Sequence, residues 1–169
     1  MNDKLIFLDI DGVLNNQIFY AKRKEHFQTT GVDLVEGTHA IDPINMAHLN
    51  DLCGITEAKV VISSTWRLGK SVDELREIFD EAGFKGDIIG KTPRLNYKET
   101  GDSVERGAEI RYWMKETANR TRHNGLFKDY VILDDDSDML YNQRNHFVWV
   151  DPYAGLTRNT VYKAVQTLM

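Results

Sequence analysis

The chain has 169 residues, of which 41% are hydrophobic and 28% charged, and this is the balance of an ordinary globular protein. That length can bury a sheet covered by helices on both faces, and we expect one domain over residues 1–169. The net charge of −5 excludes a general basic field that would attract nucleic acid over long distances. The single cysteine, Cys53, excludes an internal disulfide and fits a reducing compartment, so we expect a cytoplasmic protein.

The first predicted element is an apolar run at residues 5–8 that leads directly to Asp9, Asp11 and Gly12. Such a run is typical of a central strand in a parallel sheet, and its carboxyl end is where open α/β sheets bind their ligands. Two acids at that place need a cation. The run is too short for a signal sequence or a membrane span, so we expect no membrane association.

Residues 15–40 are polar and of mixed character, and a short helix is predicted over residues 20–27. They are too few for a separate cap domain, and we expect them to form a flap, or minimal cap, beside an open site. The basic triplet Lys22, Arg23 and Lys24 in this segment is either a solvated helix face or a surface that attracts phosphate.

The rest of the chain alternates helical and extended patterns, which predicts the α/β class and a three-layer α/β/α, Rossmann-like parallel sheet. Helices are predicted at residues 42–54, 71–83 and 103–118 and from Thr157 onward, and strands at residues 59–64, 87–89, 129–133 and 147–150. Pro43 and Gly54 mark the ends of the first of these helices. Ser71 and Glu74 predict a capping box for the next one.

Two further predicted strands also end in polar residues. Ser63 and Ser64 follow one, and Asp134, Asp135 and Asp136 follow another. Each group has a structural alternative, because serines are common where a strand becomes a loop. Asp136 or Ser137 could likewise cap a helix through residues 139–140.

The order of these motifs resembles the haloacid dehalogenase (HAD) superfamily of phosphohydrolases. Its first motif, Asp-x-Asp-Gly after a strand, is matched by residues 9–12, and its second, a strand ending in Ser or Thr, by residues 60–64. A basic residue and a strand with paired acids, here Asp134 and Asp135, complete the pattern. Residues 64–67, 106–110 and 151–157 are more narrowly similar to small superfamily members from phage and RNA-repair proteins.

The resemblance implies a reaction in which Asp9 attacks phosphorus and becomes an aspartyl-phosphate. Asp11 would protonate the leaving group and later accept a proton from water. Mg²⁺ suits the all-oxygen ligand set, namely Asp9, the backbone carbonyl of Asp11, and the acid pair Asp134 and Asp135. Which of Asp134, Asp135, Asp136 and Asp138 binds the metal directly is left open at this point.

The phosphate-binding residues also have alternatives. We favour Ser64 over Ser63 as the hydroxyl that contacts phosphate, because strand alternation directs one of the two towards the site. Arg106, near the start of a helix, is preferred as the cation, with Lys91 as its rival. Arg106 would otherwise be a solvated residue paired with an acid on its own helix, Glu105 or Glu109.

Trp66 and Arg67 follow the second motif towards the predicted site mouth, where they could hold a nucleobase and a phosphate. Packing at the edge of the core is the alternative for Trp66. The first functional hypothesis is therefore a magnesium-dependent phosphomonoesterase acting on a phosphorylated small molecule or a nucleic-acid end. The alternatives are a receiver-like phosphate-binding module and a phosphotransferase, and the sequence identifies no protein partner.

Overall fold

The computed structural model describes residues 4–35, 39–121 and 127–169. The strands in these ranges are β1 (Leu5–Leu8), β2 (Lys59–Ile62), β3 (Ile88–Lys91), β4 (Tyr130–Asp134) and β5 (Phe147–Trp149). The α-helices are α1 (Gln17–Thr30), α2 (Pro43–Thr56), α3 (Val72–Glu81), α4 (Arg106–Thr121) and α5 (Arg158–Leu168). Two 3₁₀ turns, Thr65–Arg67 and Tyr141–Gln143, follow β2 and β4.

The five strands form one parallel sheet in the order β3-β2-β1-β4-β5. β1 lies at the centre, where Phe7 is level with Val61 of β2 and Ile132 of β4. Because all the strands run the same way, the segments that follow β1, β2 and β4 emerge at the same edge of the sheet. This arrangement confirms the predicted Rossmann-like α/β fold.

The sheet separates two apolar layers, because successive side chains of a strand point to opposite faces. Ile6 and Leu8 of β1 belong to the larger layer, which also contains buried side chains of α2, α3 and α5. Leu5 and Phe7 belong to the smaller layer, which contains Ile110 and Met114 of α4. Helices therefore cover both faces, as the sequence predicted.

Most element boundaries lie within a few residues of their predicted positions, and the predicted caps Ser71 and Thr157 are confirmed. The prediction that α2 ends at Gly54 is wrong, because the helix continues to Thr56 and Glu57 adopts the left-handed conformation at φ 56°. A helix capped by Asp136 or Ser137 is not formed, since residues 137–140 are irregular before the Tyr141–Gln143 turn.

The predicted flap, residues 15–40, contains a longer helix than expected. α1 extends over Gln17–Thr30, and Phe19 in its first turn is its one buried residue. The Asn16 side chain caps this turn by accepting a hydrogen bond from the Phe19 N–H at 2.8 Å. Residues 36–38 of the predicted flap lie outside the described residues.

Among the helices of the described ranges, none is both long and apolar enough to cross a bilayer.

Candidate active site

Three carboxylates converge at the carboxyl edge of the sheet. Asp9 follows β1, Asp134 ends β4 and Asp135 comes next, and one oxygen of each lies within 4.8 Å of the others. Asp9 and Asp134 are buried, with 7% and 2% of their surfaces exposed. Such a set of close, partly desolvated oxygens is typical of a site for a hard divalent cation.

Strand alternation explains why the acids meet. Phe7 of β1 and Ile132 of β4 are paired and point to the α4 side of the sheet. Asp9 and Asp134 lie two residues further along their strands, and the Asp9 N–H donates to the Leu133 carbonyl at 3.0 Å. Both carboxylates therefore face the same side, towards the first turn of α4.

Arg106 is the first residue of α4, and its guanidinium lies over the acid cluster. Its Nη1 is 3.5 Å from Oδ1 of Asp9, and 18% of the side chain is exposed. Nη1 is nevertheless buried and has no hydrogen-bond partner in the described part of the chain. A buried donor without an acceptor is costly, so the atom is suited to an incoming anion.

Burial raises the pKa of Asp9 and of Asp134, and the mutual repulsion between the acids adds to this effect. Arg106 opposes the increase at both groups, and a hydrogen bond from Ser64 opposes it at Asp9. Burial also raises the pKa of Asp135. The negative charge of the cluster is therefore not balanced by Arg106 alone, and a divalent cation would supply the missing charge.

The residues present fit Mg²⁺, because carboxylate oxygens are the ligands that this ion prefers. Gly12 lies next to the acid cluster and has φ 82°, a backbone conformation that favours glycine. A Cβ atom there would lie 2.3 Å from Cγ of Asp135. The glycine of the first motif therefore has two functions, since it turns the chain and leaves room for the third carboxylate.

The structure distinguishes the two serines after β2. Ser64 is fully buried, and its hydroxyl lies close enough to Asp9 to lower the pKa of that carboxyl group. The Ser63 hydroxyl instead accepts a hydrogen bond from Oγ1 of Thr92 at 3.4 Å. Ser64 is thus positioned beside the expected nucleophile, in the place that the sequence analysis favoured for the phosphate-binding hydroxyl.

Asp11, the second acid of the first motif, lies at the exposed side of the site and interacts with two aromatic residues. Its Oδ1 accepts a hydrogen bond from the Tyr20 hydroxyl at 2.7 Å. Its Oδ2 accepts one from Nε1 of Trp66 at 2.9 Å. The Trp66 ring also contacts the ring of His39, with 5.6 Å between the centroids. Trp66 therefore contacts the predicted proton donor.

Arg67, predicted at the site mouth, is buried beneath it with 4% of its surface exposed. Its guanidinium donates to the carbonyls of Ser64 and Thr92 at 2.7 and 2.9 Å and forms an ion pair with Glu109 of α4. Glu109 also accepts a hydrogen bond from the Leu95 N–H at 2.9 Å. These contacts connect the turn after β2 to the helix that carries Arg106.

The rival cation, Lys91, lies at the end of β3 and does not contact the acid cluster in the described structure. Its Nζ donates to the backbone carbonyls of Arg67, at 3.1 Å, and Lys70. Glu109 is paired with Arg67, and Glu105 accepts a hydrogen bond from the Tyr97 hydroxyl at 2.7 Å. Neither acid therefore forms the predicted surface pair with Arg106.

The remaining acids after β4 have separate positions. Asp138 caps α4, since its Oδ2 accepts a hydrogen bond from the Arg106 N–H at 2.9 Å. Asp136 lines the cavity above the acid cluster, which has a volume of about 390 Å³. Its other lining residues include Asp9, Asp11, Tyr20, Thr65, Arg106 and Pro152. This volume admits a phosphate group and part of its leaving group.

The contacts of Tyr20 and Glu109 were not predictable from the sequence. Tyr20 lies in a polar segment without periodicity, and no local pattern connects it with Asp11. Glu109 is in the first turn of α4, where an acid is expected for electrostatic reasons alone. Its burial, with 3% of its surface exposed, was the informative property, and it depends on the tertiary structure.

The fold and the site together define a class of α/β phosphohydrolases. Its features here are the parallel sheet, the acids at the end of its central strands and the Arg106 guanidinium beside them. A family model described as "HAD domain in Swiss Army Knife RNA repair proteins" matches residues 5–161, and the chain belongs to this family. Membership places it among HAD phosphohydrolases with an acidic cluster and confirms the resemblance deduced from the motifs. Searches of curated proteins and of solved structures found no match.

Proposed function

We propose that this protein is a magnesium-dependent phosphomonoesterase that works through an aspartyl-phosphate on Asp9. The main support is the geometry around Asp9. Its carboxylate lies 3.5 Å from the unpartnered Nη1 of Arg106 and within 4.8 Å of the Asp134 and Asp135 oxygens. A nucleophile, an anion-binding donor and a cation site therefore lie together.

The first half-reaction forms a bond between an Asp9 oxygen and phosphorus and breaks the bond to the ester oxygen. Arg106 and Ser64 are the side chains beside Asp9 that can donate to the non-bridging phosphate oxygens. The Asp11 carboxyl group transfers its proton to the departing ester oxygen. The free alcohol leaves, and the phosphoryl group remains on Asp9.

The second half-reaction is hydrolysis of the aspartyl-phosphate. Asp11, now a carboxylate, takes a proton from water as the water oxygen attacks phosphorus. The bond between phosphorus and the Asp9 oxygen breaks, inorganic phosphate leaves, and both acids return to their initial states. One carboxyl group thus serves as acid and then as base.

Asp9, Asp134 and Asp135 are the side chains that would hold Mg²⁺, together with the backbone carbonyl of Asp11. The bound ion would neutralise the charge that builds up between an anionic nucleophile and an anionic ester. Without that neutralisation, three close carboxylates would repel the substrate.

For the substrate we favour a nucleotide or the phosphorylated end of a polynucleotide. The family description names RNA-repair proteins, and the cavity above the acid cluster is partly open to solvent. We propose that the chain is a single domain in which residues 15–40 act as a flap and not as a closed cap. Such a site would admit a terminus attached to a long chain.

The receiver-like alternative is disfavoured by the strand order. Receivers have the flavodoxin-like order 2-1-3-4-5, whereas this sheet has the order β3-β2-β1-β4-β5. A phosphotransferase would use the same first half-reaction and differ in the acceptor of the phosphoryl group. Product analysis with added alcohols separates that outcome from hydrolysis.

The test is release of inorganic phosphate from mononucleotides, sugar phosphates and oligonucleotides phosphorylated at the 3′ or 5′ end, with Mg²⁺ or with EDTA. We expect release that requires Mg²⁺ and is lost in Asp9→Asn. Asp80→Asn, an acid on the exposed side of α3, is the matched control and should retain activity. Turnover by Asp9→Asn at the wild-type rate would refute the proposal.

A further inference from the structure

Both oxygens of Asp11 accept hydrogen bonds from aromatic side chains that belong to different parts of the chain. Tyr20 lies in the first turns of α1, and Trp66 lies in the 3₁₀ turn after β2. Their donors are 2.7 Å from Oδ1 and 2.9 Å from Oδ2. We call this three-residue arrangement of Asp11, Tyr20 and Trp66 the Asp11 clamp.

Two donors, one on each oxygen, fix the plane of a carboxyl group that would otherwise rotate. A carboxylate has about four lone-pair sites, so two remain for the proton that Asp11 must carry. The clamp therefore restricts orientation without occupying all the positions at which the proton can sit.

The two donors are themselves held in place. Phe19, next to Tyr20, is buried, and the Gln17 N–H donates to the Pro152 carbonyl at 3.0 Å, so the start of α1 is anchored to the body of the protein. The backbone N–H of Trp66 donates to the Ser64 hydroxyl at 3.4 Å, and the Trp66 ring contacts His39. Clamp geometry is thus linked to the start of α1 and to the residue beside Asp9.

We propose that Tyr20 and Trp66 are positioning residues that hold the Asp11 carboxyl group for proton transfer to the leaving group. This inference rests on the proposed function. The proposal also has a consequence for substrate specificity. An ester of a weakly acidic alcohol needs the proton to release its alcohol, whereas an ester of an acidic phenol releases the phenolate without it. Sugar hydroxyls are weakly acidic alcohols, so phosphorylated sugars and nucleic-acid ends would depend on the clamp.

The test compares phenyl phosphate with 4-nitrophenyl phosphate, which have similar shapes and different leaving abilities. The quantity measured is kcat/KM with Mg²⁺, because it reports transfer to Asp9 and not the later hydrolysis. Tyr20→Phe and Trp66→Phe each remove one donor and retain an aromatic ring. We expect each to lower kcat/KM about tenfold for phenyl phosphate, the value of one hydrogen bond to a charged group, and about twofold or less for 4-nitrophenyl phosphate.

Tyr162→Phe is the matched control, since it removes an exposed hydroxyl on α5 and should leave both rates unchanged. Asp11→Asn provides the reference for complete loss of the proton donor. An equal loss of kcat/KM on the two substrates, or no loss, would overturn the proposed positioning role of the clamp. Turnover by the wild-type protein would still support the proposed function. A wild-type protein inactive on both esters and on the phosphorylated substrates tested above would refute the proposed function, and the clamp's catalytic role with it.

Discussion

Arg67 and Glu109 form a buried ion pair that connects the turn after β2 to the first turns of α4, with 4% of each side chain exposed. Arg67 also donates to three backbone carbonyls, which are those of Ser64, Thr92 and Pro93. The pair therefore fixes the Ser64 segment relative to the helix that carries Arg106. The positions of Ser64 and Arg106, the two candidates for binding phosphate, therefore depend on this ion pair.

Breaking this pair should be strongly destabilising, because the remaining charge would be buried without a partner. We expect Glu109→Gln or Arg67→Met to lower the free energy of unfolding by about 3 to 5 kcal/mol. Denaturant unfolding of each single variant and of the double variant measures the coupling. A double variant that loses as much as the sum of the two singles would show that the pair contributes no interaction energy.

Gly12 should be intolerant of a side chain for two separable reasons. Gly12→Ala places a methyl group in a left-handed conformation and against the Asp135 carboxylate. Gly83→Ala is the matched control, since Gly83 has φ 83° and nothing within 4 Å of the added atom. We expect both variants to lose about 1 kcal/mol of stability from the backbone, and Gly12→Ala to lose phosphatase activity as well.

Equal activity in the two glycine variants would contradict the account of the third carboxylate. Binding of Mg²⁺, measured by calorimetry, gives a second readout that is independent of turnover. It should weaken in Gly12→Ala and remain unchanged in Gly83→Ala.

Ser64→Ala should lower kcat/KM about tenfold, because it removes a donor beside Asp9. Ser63→Ala removes a hydroxyl of the neighbouring residue that pairs with Thr92, and it should leave kcat/KM within about twofold. The comparison is made at saturating Mg²⁺ with one ester. The reverse order of effects would assign the phosphate contact to Ser63.

The pH dependence of stability follows from the burial of the acids, which raises the pKa of Asp9 to about 6 and of Asp134 to about 7. These groups favour the folded state when they are neutral, so their stabilisation is present below their unfolded pKa and is lost as pH rises through 6 to 7. Without Mg²⁺, Asp134→Asn should therefore be about 2 kcal/mol more stable than wild type at pH 7.5.

At pH 3, below the ordinary aspartate pKa of 3.8, the same variant should match wild type, since Asp134 is then mostly neutral in both the folded and the unfolded protein. The Asn side chain also keeps the acceptor for the Asp136 N–H, which donates to Oδ1 of Asp134 at 3.0 Å. Unfolding in denaturant at the two pH values measures the difference. A variant less stable than wild type at pH 7.5 would show that burial of the ionised Asp134 carboxylate does not destabilise the fold.

Local sequence patterns predicted the sheet, the helices on both faces and the positions of Asp9, Asp134 and Asp135. These features depend on alternation along one strand and on the rule that parallel strands end at one edge. Contacts between distant segments were not predictable in the same way. Arg67 was expected at the site mouth because it follows the second motif, whereas its buried partner, Glu109, lies 42 residues away along the chain.

The most direct test of the central claim is to identify the residue that carries the phosphoryl group. Asp11→Asn, given Mg²⁺ and 4-nitrophenyl phosphate, should form the aspartyl-phosphate and hydrolyse it slowly, because the leaving group needs no proton and the water has lost its base. The reaction is quenched in acid and the peptides are analysed by mass spectrometry. We predict a phosphoryl group on Asp9, and we predict that it is absent from the double variant that combines Asp11→Asn with Asp9→Asn. Phosphate release with no phosphoryl group on Asp9, or with one on another residue, would contradict the account.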